Sequence, residues 1–361
     1  MKAIVINDFV KVSGSPTMIV DQTDRVQDLD EITVAEVERP VPKSNEVLVQ
    51  VKAAGVNYAK GKHQNNQSLV RPPFTLGLEF SGVIVSAPSD SGFRPGDRVF
   101  GGHTGSYSEF ICLPRSDSLH HMPAIWTFPQ AAGLAATLPV SFAALMQAGI
   151  KAGQTVLVHA AAGGLGTMAV QIAAALGCRV IGTAGSQAKC AVATQCGAHA
   201  CVNYVEHTAW WEKVLELTDG KGADIVFDPV GLVDPSLKCI AHRGKVLVVG
   251  FAGIQNNMER VAMNRVLLKQ VSLIGYVGSP FHSSIRYGES SRRYPQEQKT
   301  TWDELQPLME SGSIQPVVYD THYHGLGSVP RALRDMVDRK IWGKAVVTMD
   351  EPLGGSPLAR L

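Results

Sequence analysis

Apolar residues follow two different rhythms along the chain. Up to about Trp126, short runs such as Glu46-Val47-Leu48-Val49-Gln50-Val51 and Gly82-Val83-Ile84-Val85 stop at turn formers, as in Pro95-Gly96-Asp97, and predict a mostly β unit. From about Phe128 to Gly278 the apolar runs lie at 155–159, 179–183, 200–203, 223–227, 245–250 and 271–276, with helix-length segments between them, the first at 167–176. Parallel neighbours need a crossover, so this alternation predicts an α/β doubly wound parallel sheet. After Pro280 a serine-containing stretch leads to a helix near 302–310 and a strand near 344–349. One helix and one strand cannot enclose a core, so the tail is expected to rejoin the first unit. The domains then read 1–127 with 280–361 for the β unit and 128–279 for the sheet unit.

Composition narrows the function classes. A length of 361 residues suits two domains at about 150 residues each, and 45% hydrophobic with 18% charged residues excludes a disordered chain. The net charge of +1 offers no general attraction to nucleic acid or an anionic membrane, so neither is expected as a partner. Six cysteines without a C-x-x-C pair fit a reducing compartment. The first ten residues read as an opening strand and no apolar stretch is long enough to span a bilayer, so a cytoplasmic location is expected. The terminal Ala359-Arg360-Leu361 has the small-basic-Leu form of a peroxisomal address, which would matter only in a eukaryotic host.

The most informative segment runs from the strand Val156-Leu157-Val158-His159 into Ala160-Ala161-Ala162-Gly163-Gly164-Leu165-Gly166 and a helix. Such a turn brings a pyrophosphate against free N–H groups at a helix N-terminus, where the helix dipole favours negative charge. Ala161 stands where the usual G-x-G-x-x-G has its first glycine, and a tight turn without a ligand is the plainer alternative. The second strand continues into Gly182-Thr183-Ala184-Gly185-Ser186-Gln187-Ala188-Lys189, with no Asp or Glu between Ser118 and Val205. An NAD site would place an acid there for the ribose 2′-hydroxyl, whereas an ammonium and a hydroxyl attract a 2′-phosphate. The segment therefore predicts NADPH; a charge-poor core with a solvated Lys189 is the alternative.

Together with Gly55-Val56-Asn57-Tyr58, Gly96-Asp97-Arg98-Val99, Gly197-Ala198, Asn203-Tyr204, Asp228-Pro229-Val230-Gly231, Gly250-Phe251-Ala252-Gly253 and Gly343-Lys344-Ala345-Val346, these segments resemble the zinc-independent quinone oxidoreductases of the medium-chain dehydrogenase/reductase superfamily. The resemblance spans the whole chain. It implies a GroES-like β domain plus a Rossmann domain, with the active site between them. It further implies that Gly163, Gly164 and Leu165 lie under the pyrophosphate, and that Ser186, Lys189 and Tyr204 surround the 2′-phosphate. Gly182 joins this set, and Gly250 and Phe251 line the nicotinamide side. A homodimer through the edge strand at 271–276 is also implied.

Zinc-dependent relatives carry a Cys and a His-Glu pair in the first domain. Here Asn57 occupies the Cys segment and Gly77-Leu78-Glu79 the pair, so no metal is expected. His120-His121 and His322-x-His324 read as solvated or structural. Without a Lewis acid, chemistry must come from position and hydrogen bonds, which suits a quinone or activated enone. Asn57 is the candidate for orienting substrate or nicotinamide ribose, with Tyr58 as a donor to the carbonyl. The chain departs from its relatives at Lys60-Gly61-Lys62-His63 and at Phe142-Ala143-Ala144, leaving solvent as the expected proton source. Two alternatives stay open: an enoyl-thioester reductase using Arg286, Arg292 and Arg293, and a non-catalytic NADPH-binding or RNA-associated protein.

Overall fold

The computed structural model describes residues 1–6, 11–12, 15–16, 29, 32–57, 73–114, 119–253, 259–278 and 295–349. Tyr58, the Lys60 to His63 segment, Arg286, Arg292, Arg293 and the terminal tripeptide lie outside the described residues.

The first unit contains β1 (Lys2–Ile6), β2 (Lys11–Val12), β3 (Ser15–Pro16), β4 (Val34–Glu36), β5 (Glu46–Gly55), β6 (Phe74–Thr75), β7 (Glu79–Ser86), β8 (Arg98–Gly102), β9 (Phe110–Pro114) and β10 (Leu119–His121). Its spine is β5, whose alternating valines Val47, Val49 and Val51 are buried and which pairs antiparallel with β7 and β9. Leu48 between them is buried as well, as are Ala53, Ala54 and Gly55 at the strand end, so β5 is covered on both faces over much of its length.

The second unit begins with helices α1 (Phe128–Ala131) and α2 (Leu138–Gln147) and alternates β11 (Thr155–Val158), α3 (Gly164–Ala175), β12 (Arg179–Ala184), α4 (Gln187–Gln195), β13 (Ala200–Asn203), α5 (Trp210–Leu217), β14 (Ala223–Asp228), α6 (Val233–Cys239), β15 (Ile240–Val248), α7 (Met263–Lys269) and β16 (Ser272–Gly275). The spatial order is β13-β12-β11-β14-β15-β16, all parallel. The chain thus starts in the middle, winds outward one way and then the other, which places the switch point between β11 and β14. Both faces are covered. Val156, Val158, Ile225 and Phe227 pack with α2 and α3, and Leu157, Ile181, Val226 and Val246 pack with Trp210 and Leu237. Near-continuous apolar strands are the mark of such a two-sided sheet.

The tail divides between the units. Strand β17 (Tyr323–His324) and strand β18 (Val346–Thr348) join the first sheet, β18 against β5 with Val346 opposite Gly55. The helix Pro295–Glu310 instead buries Leu305 and Met309 in the core shared with α2, while its Trp302 stacks on His120 at 3.8 Å. No described helix is long and apolar enough to cross a membrane.

Candidate functional site

The turn after β11 is held from below by His159, which is fully buried. Ser236 Oγ donates to the Leu232 carbonyl, so it accepts from His159 Nε2 at 2.8 Å; Nδ1 then accepts from Thr183 Oγ1 at 2.9 Å. Burial pushes the imidazole down to about 4, and it stays neutral. One ring therefore ties β11, β12 and α6 together beneath the turn. The missing first glycine of the motif has a local explanation. A Cβ on Gly182 would lie 2.8 Å from Ala161 Cβ, so the room a glycine usually leaves in the turn is left by the neighbouring strand instead. Gly163 is the N-cap of α3 and makes no side-chain cap bond. The first N–H groups of that helix therefore have no side-chain acceptor from the cap, which fits a pyrophosphate over Gly163, Gly164 and Leu165.

At the end of β12 the chain forms a second anion-friendly corner. Ser186 caps α4, its Oγ accepting from Lys189 N at 3.3 Å. The Lys189 ammonium donates to the Arg339 carbonyl at 2.5 Å, and among the described residues no carboxylate pairs with it. Burial, together with the nearby Arg339, lowers its pKa. Tyr204 follows β13 and lies over Gly185, where a Cβ would come within 2.6 Å of the phenol oxygen. Tyr204 is 38% exposed, so it borders the corner and does not fill a core. Ser186, Lys189 and Tyr204 are thus brought together. The first acid beyond the carboxylate-free stretch, Glu206, is held by Asn203 Nδ2 at 2.7 Å. Arg339 was not found from sequence. Of the neighbouring cations Arg339 and Lys340, only Lys340 is paired with Asp335 and Asp338 among the described residues, at 2.8 and 3.0 Å.

Two further loops lie at the carboxyl edge of the sheet, after β14 and β15. Buried Asp228 accepts from the N–H groups of Val230, Gly231 and Leu232, and Ala252 N and Gly253 N donate to Pro229 O and Val230 O. Gly250 and Phe251 sit on the second loop, with Phe251 45% exposed. An Asp followed by Pro-x-Gly at a strand end is the signal for this arrangement, since its carboxylate folds back on the next amides. Glu259 accepts from Val233 N and Asp234 N and anchors the segment beyond.

The first unit meets the cofactor turn along the tail. Gly343 N donates to Ala162 O at 2.7 Å, and Gly343 pairs with Gly163. Next to this seam a buried ion pair joins Lys344 Nζ to Glu79 Oε1 at 2.6 Å, with Lys344 8% and Glu79 0% exposed. Glu79 Oε2 accepts from Ala136 N, and Lys344 Nζ also donates to Asn57 Oδ1 at 2.8 Å. Asn57 Nδ2 lies 3.5 Å from Gly55 O, so the side chain is tied to the tail more firmly than to its own turn. Sequence reading singled out Asn57 but gave Glu79 and Lys344 no role; a charged residue inside an apolar strand end was the available signal in both. Among the described residues no group of three or more His, Cys, Asp or Glu side chains is placed to hold a metal.

Comparison with known proteins follows this geometry. Residues 43–124 match the family model of the alcohol dehydrogenase GroES-like domain, and residues 164–288 that of the zinc-binding dehydrogenases. A quinone oxidoreductase-like protein 2 homolog from Nematostella vectensis is 33% identical over 316 residues, covering 84% of this chain and 82% of its own. The quinone oxidoreductase of Homo sapiens is 33% identical over 289 residues, 77% of this chain and 82% of its own. Among solved structures, an Escherichia coli quinone oxidoreductase complexed with NADPH matches with a TM-score of 0.73 and 26% identity, over 96% of this chain and 100% of that one. A GroES-like unit joined to a Rossmann sheet defines a medium-chain dehydrogenase/reductase. Within that superfamily the chain belongs to the quinone oxidoreductase family, and it is an oxidoreductase.

Proposed function

We propose that the protein binds NADPH and reduces a quinone or an activated enone without a metal ion. The observation that carries this reading is the corner of Ser186, Lys189 and Tyr204, which presents an ammonium, a hydroxyl, a phenol and a helix N-terminus with no carboxylate paired to that ammonium among the described residues. A 2′-phosphate meets complementary charge there, and an unphosphorylated ribose leaves that charge unused. The E. coli relative in complex with NADPH supports the same cofactor.

NADPH, when bound, supplies the hydride. The protein's part is orientation and charge stabilisation. Gly163, Gly164 and Leu165 hold the pyrophosphate at the start of α3, and Gly250 and Phe251 limit where the nicotinamide lies. Asn57 is a polar group of the first unit beside the seam with the glycine turn and can donate to a carbonyl oxygen as negative charge grows on it. Solvent supplies the proton. The residue types at the corresponding positions support a reaction without zinc. Asn57 and Leu78 replace the Cys and His of zinc-dependent relatives, and Glu79 is already neutralised by Lys344. The zinc-binding dehydrogenase match covers 164–288 and does not include these three positions.

The decisive measurement is titration with NADPH and NADH, followed by turnover with a panel of quinones, enones and crotonyl thioesters and a metal assay. Tighter NADPH binding, turnover of a quinone or enone and no stoichiometric zinc are expected. Equal affinity for both cofactors, or activity on thioesters alone, would overturn the reading.

We also propose that the protein acts as a homodimer. Among the described residues the outer edge of β16 is unpaired in the sheet order, and beside it Leu273, Met263, Leu267 and Leu268 are exposed by 39%, 61%, 76% and 73%. A second copy paired edge to edge would cover both the free strand edge and this apolar face. Light scattering should give twice the chain mass, and Leu267→Lys with Leu268→Lys should give the single-chain mass.

A further inference from the structure

We infer that Lys344, held by Glu79, is a positioning residue that sets which face of the Asn57 carboxamide the cleft sees. This rests on the reading of Asn57 as the group that meets the substrate or nicotinamide ribose. The argument starts with register. Val346 lies opposite Gly55 and Val56 N donates to Ala345 O, so the next antiparallel step brings Lys344 opposite Asn57. Gly55 also faces Glu79 across β5 and β7. A Cβ on Gly55 would fall 2.7 Å from Glu79 Oε1 and 2.8 Å from its Cγ, so the glutamate reaches the lysine only by passing over a residue without a side chain. On the other side the lysine stem runs past two more such positions. A Cβ on Gly133 would lie 2.8 Å from Lys344 Cβ, and one on Gly164 would lie 2.9 Å from its Cδ. The stem is therefore fixed against the first residue of α3, and its ammonium is fixed against Glu79 and Asn57.

An ammonium has donors and no acceptor. The atom of Asn57 facing it must be the carbonyl oxygen, as the 2.8 Å contact to Oδ1 has it. The amide nitrogen is then turned away from the ion pair, and its only hydrogen bond among the described residues is the long 3.5 Å one to Gly55 O. Its N–H groups are left to donate. A flipped amide would present an acceptor instead and repel the oxygen on which charge grows. Because the same lysine lies along Gly164, the orientation of Asn57 is built into the cofactor turn and does not depend on the substrate.

The test compares wild type with Glu79→Gln/Lys344→Met, which removes both buried charges together and keeps side-chain volume, and repeats the pair in an Asn57→Ala background. Loss of an oriented donor should lower kcat by about 10-fold or more when Asn57 is present and by less than about 2-fold when it is absent, with KM for NADPH little changed. Equal losses in the two backgrounds, or none in either, overturn the inference. A second readout does not need turnover: in protein labelled with 15N-asparagine, the Asn57 side-chain amide pair, assigned by its loss in Asn57→Asp, should shift in Glu79→Gln/Lys344→Met. Superimposable pairs overturn the inference. Wild-type protein that reduces no acceptor overturns the functional reading, and the resonance then decides the positioning by itself.

Discussion

Two lysines, Lys344 along the first residue of α3 and Lys189 in the first turn of α4, have opposite electrostatic situations. Lys344 is buried, carries a carboxylate at 2.6 Å and is already neutralised. Lys189 is half-buried, donates only to a backbone carbonyl and, among the described residues, has no counter-ion. The difference shows that a lysine marks an anion site only where the fold withholds its partner. A charge whose partner is supplied organises the protein, and a charge left without one is available to a ligand.

The sharpest way to break this comparison is to remove one member of the neutral pair. Lys344→Met leaves the Glu79 carboxylate buried without its ammonium and should cost roughly 3–5 kcal/mol of stability in urea unfolding, most of it restored by adding Glu79→Gln. A loss under about 1 kcal/mol would mean that the pair is solvated. His159 extends the contrast to a buried group with no paired charge. Its pKa of about 4 in the folded chain lies below the unfolded value of 6.5, so between those values the unfolded chain takes up a proton that the folded one refuses. Stability should therefore fall as pH drops from 6.5 to 4, by up to roughly 3 kcal/mol for this residue, and level off below. His120, pushed down to about 4 by burial, adds to the same slope, so His159→Gln should reduce the slope without abolishing it.

For the lysine without a counter-ion, Lys189→Glu should weaken NADPH binding by about 100-fold and leave NADH equal or tighter, read as a ratio of dissociation constants by nicotinamide fluorescence. An unchanged ratio would remove Lys189 from the phosphate site. The smallest effect is expected of Tyr204→Phe, which keeps the ring over Gly185 and deletes one neutral donor. NADPH affinity should fall by about 3- to 10-fold with NADH unaffected.

The cofactor half was legible because its signals are local. A glycine turn between a strand and a helix, and a second strand without acids, can be read within a few dozen residues of one another. Even there, the sheet holds one surprise. The fifth strand was expected from 245 but β15 begins at Ile240, with a register shift in its pairing to β14 and Arg243 at a φ of 60°. His242 and Arg243 look like a turn because their side chains face solvent, and the buried Gly244 adds a turn former, so the apolar pattern starts late. The helix Pro295–Glu310 starts earlier than its apolar residues suggest for the same reason. Gln296, Glu297, Lys299 and Thr300 are polar and exposed, and Pro295 suits a first helical position where no amide donor is needed.

The substrate half was legible only in part. Asn57 stood out, yet its partner is 287 residues away and its partner's partner lies in a third strand. Nothing near Asn57 in the chain announces an ammonium there, and only antiparallel register supplies it. The Arg339 beside Lys189 is hidden in the same way, 150 residues distant.

Hydrophobic rhythm, glycine placement and the placement of acids by themselves determined the doubly wound sheet, the glycine turn that opens α3 and the absence of acid beside the second strand. Those features depend on backbone geometry and near-neighbour chemistry, which a chain carries wherever it goes. Which charges are neutralised and which stay open was decided only by the tertiary structure, because Coulomb energy depends on distance and burial, and both are set when strands from opposite ends of the chain come into register.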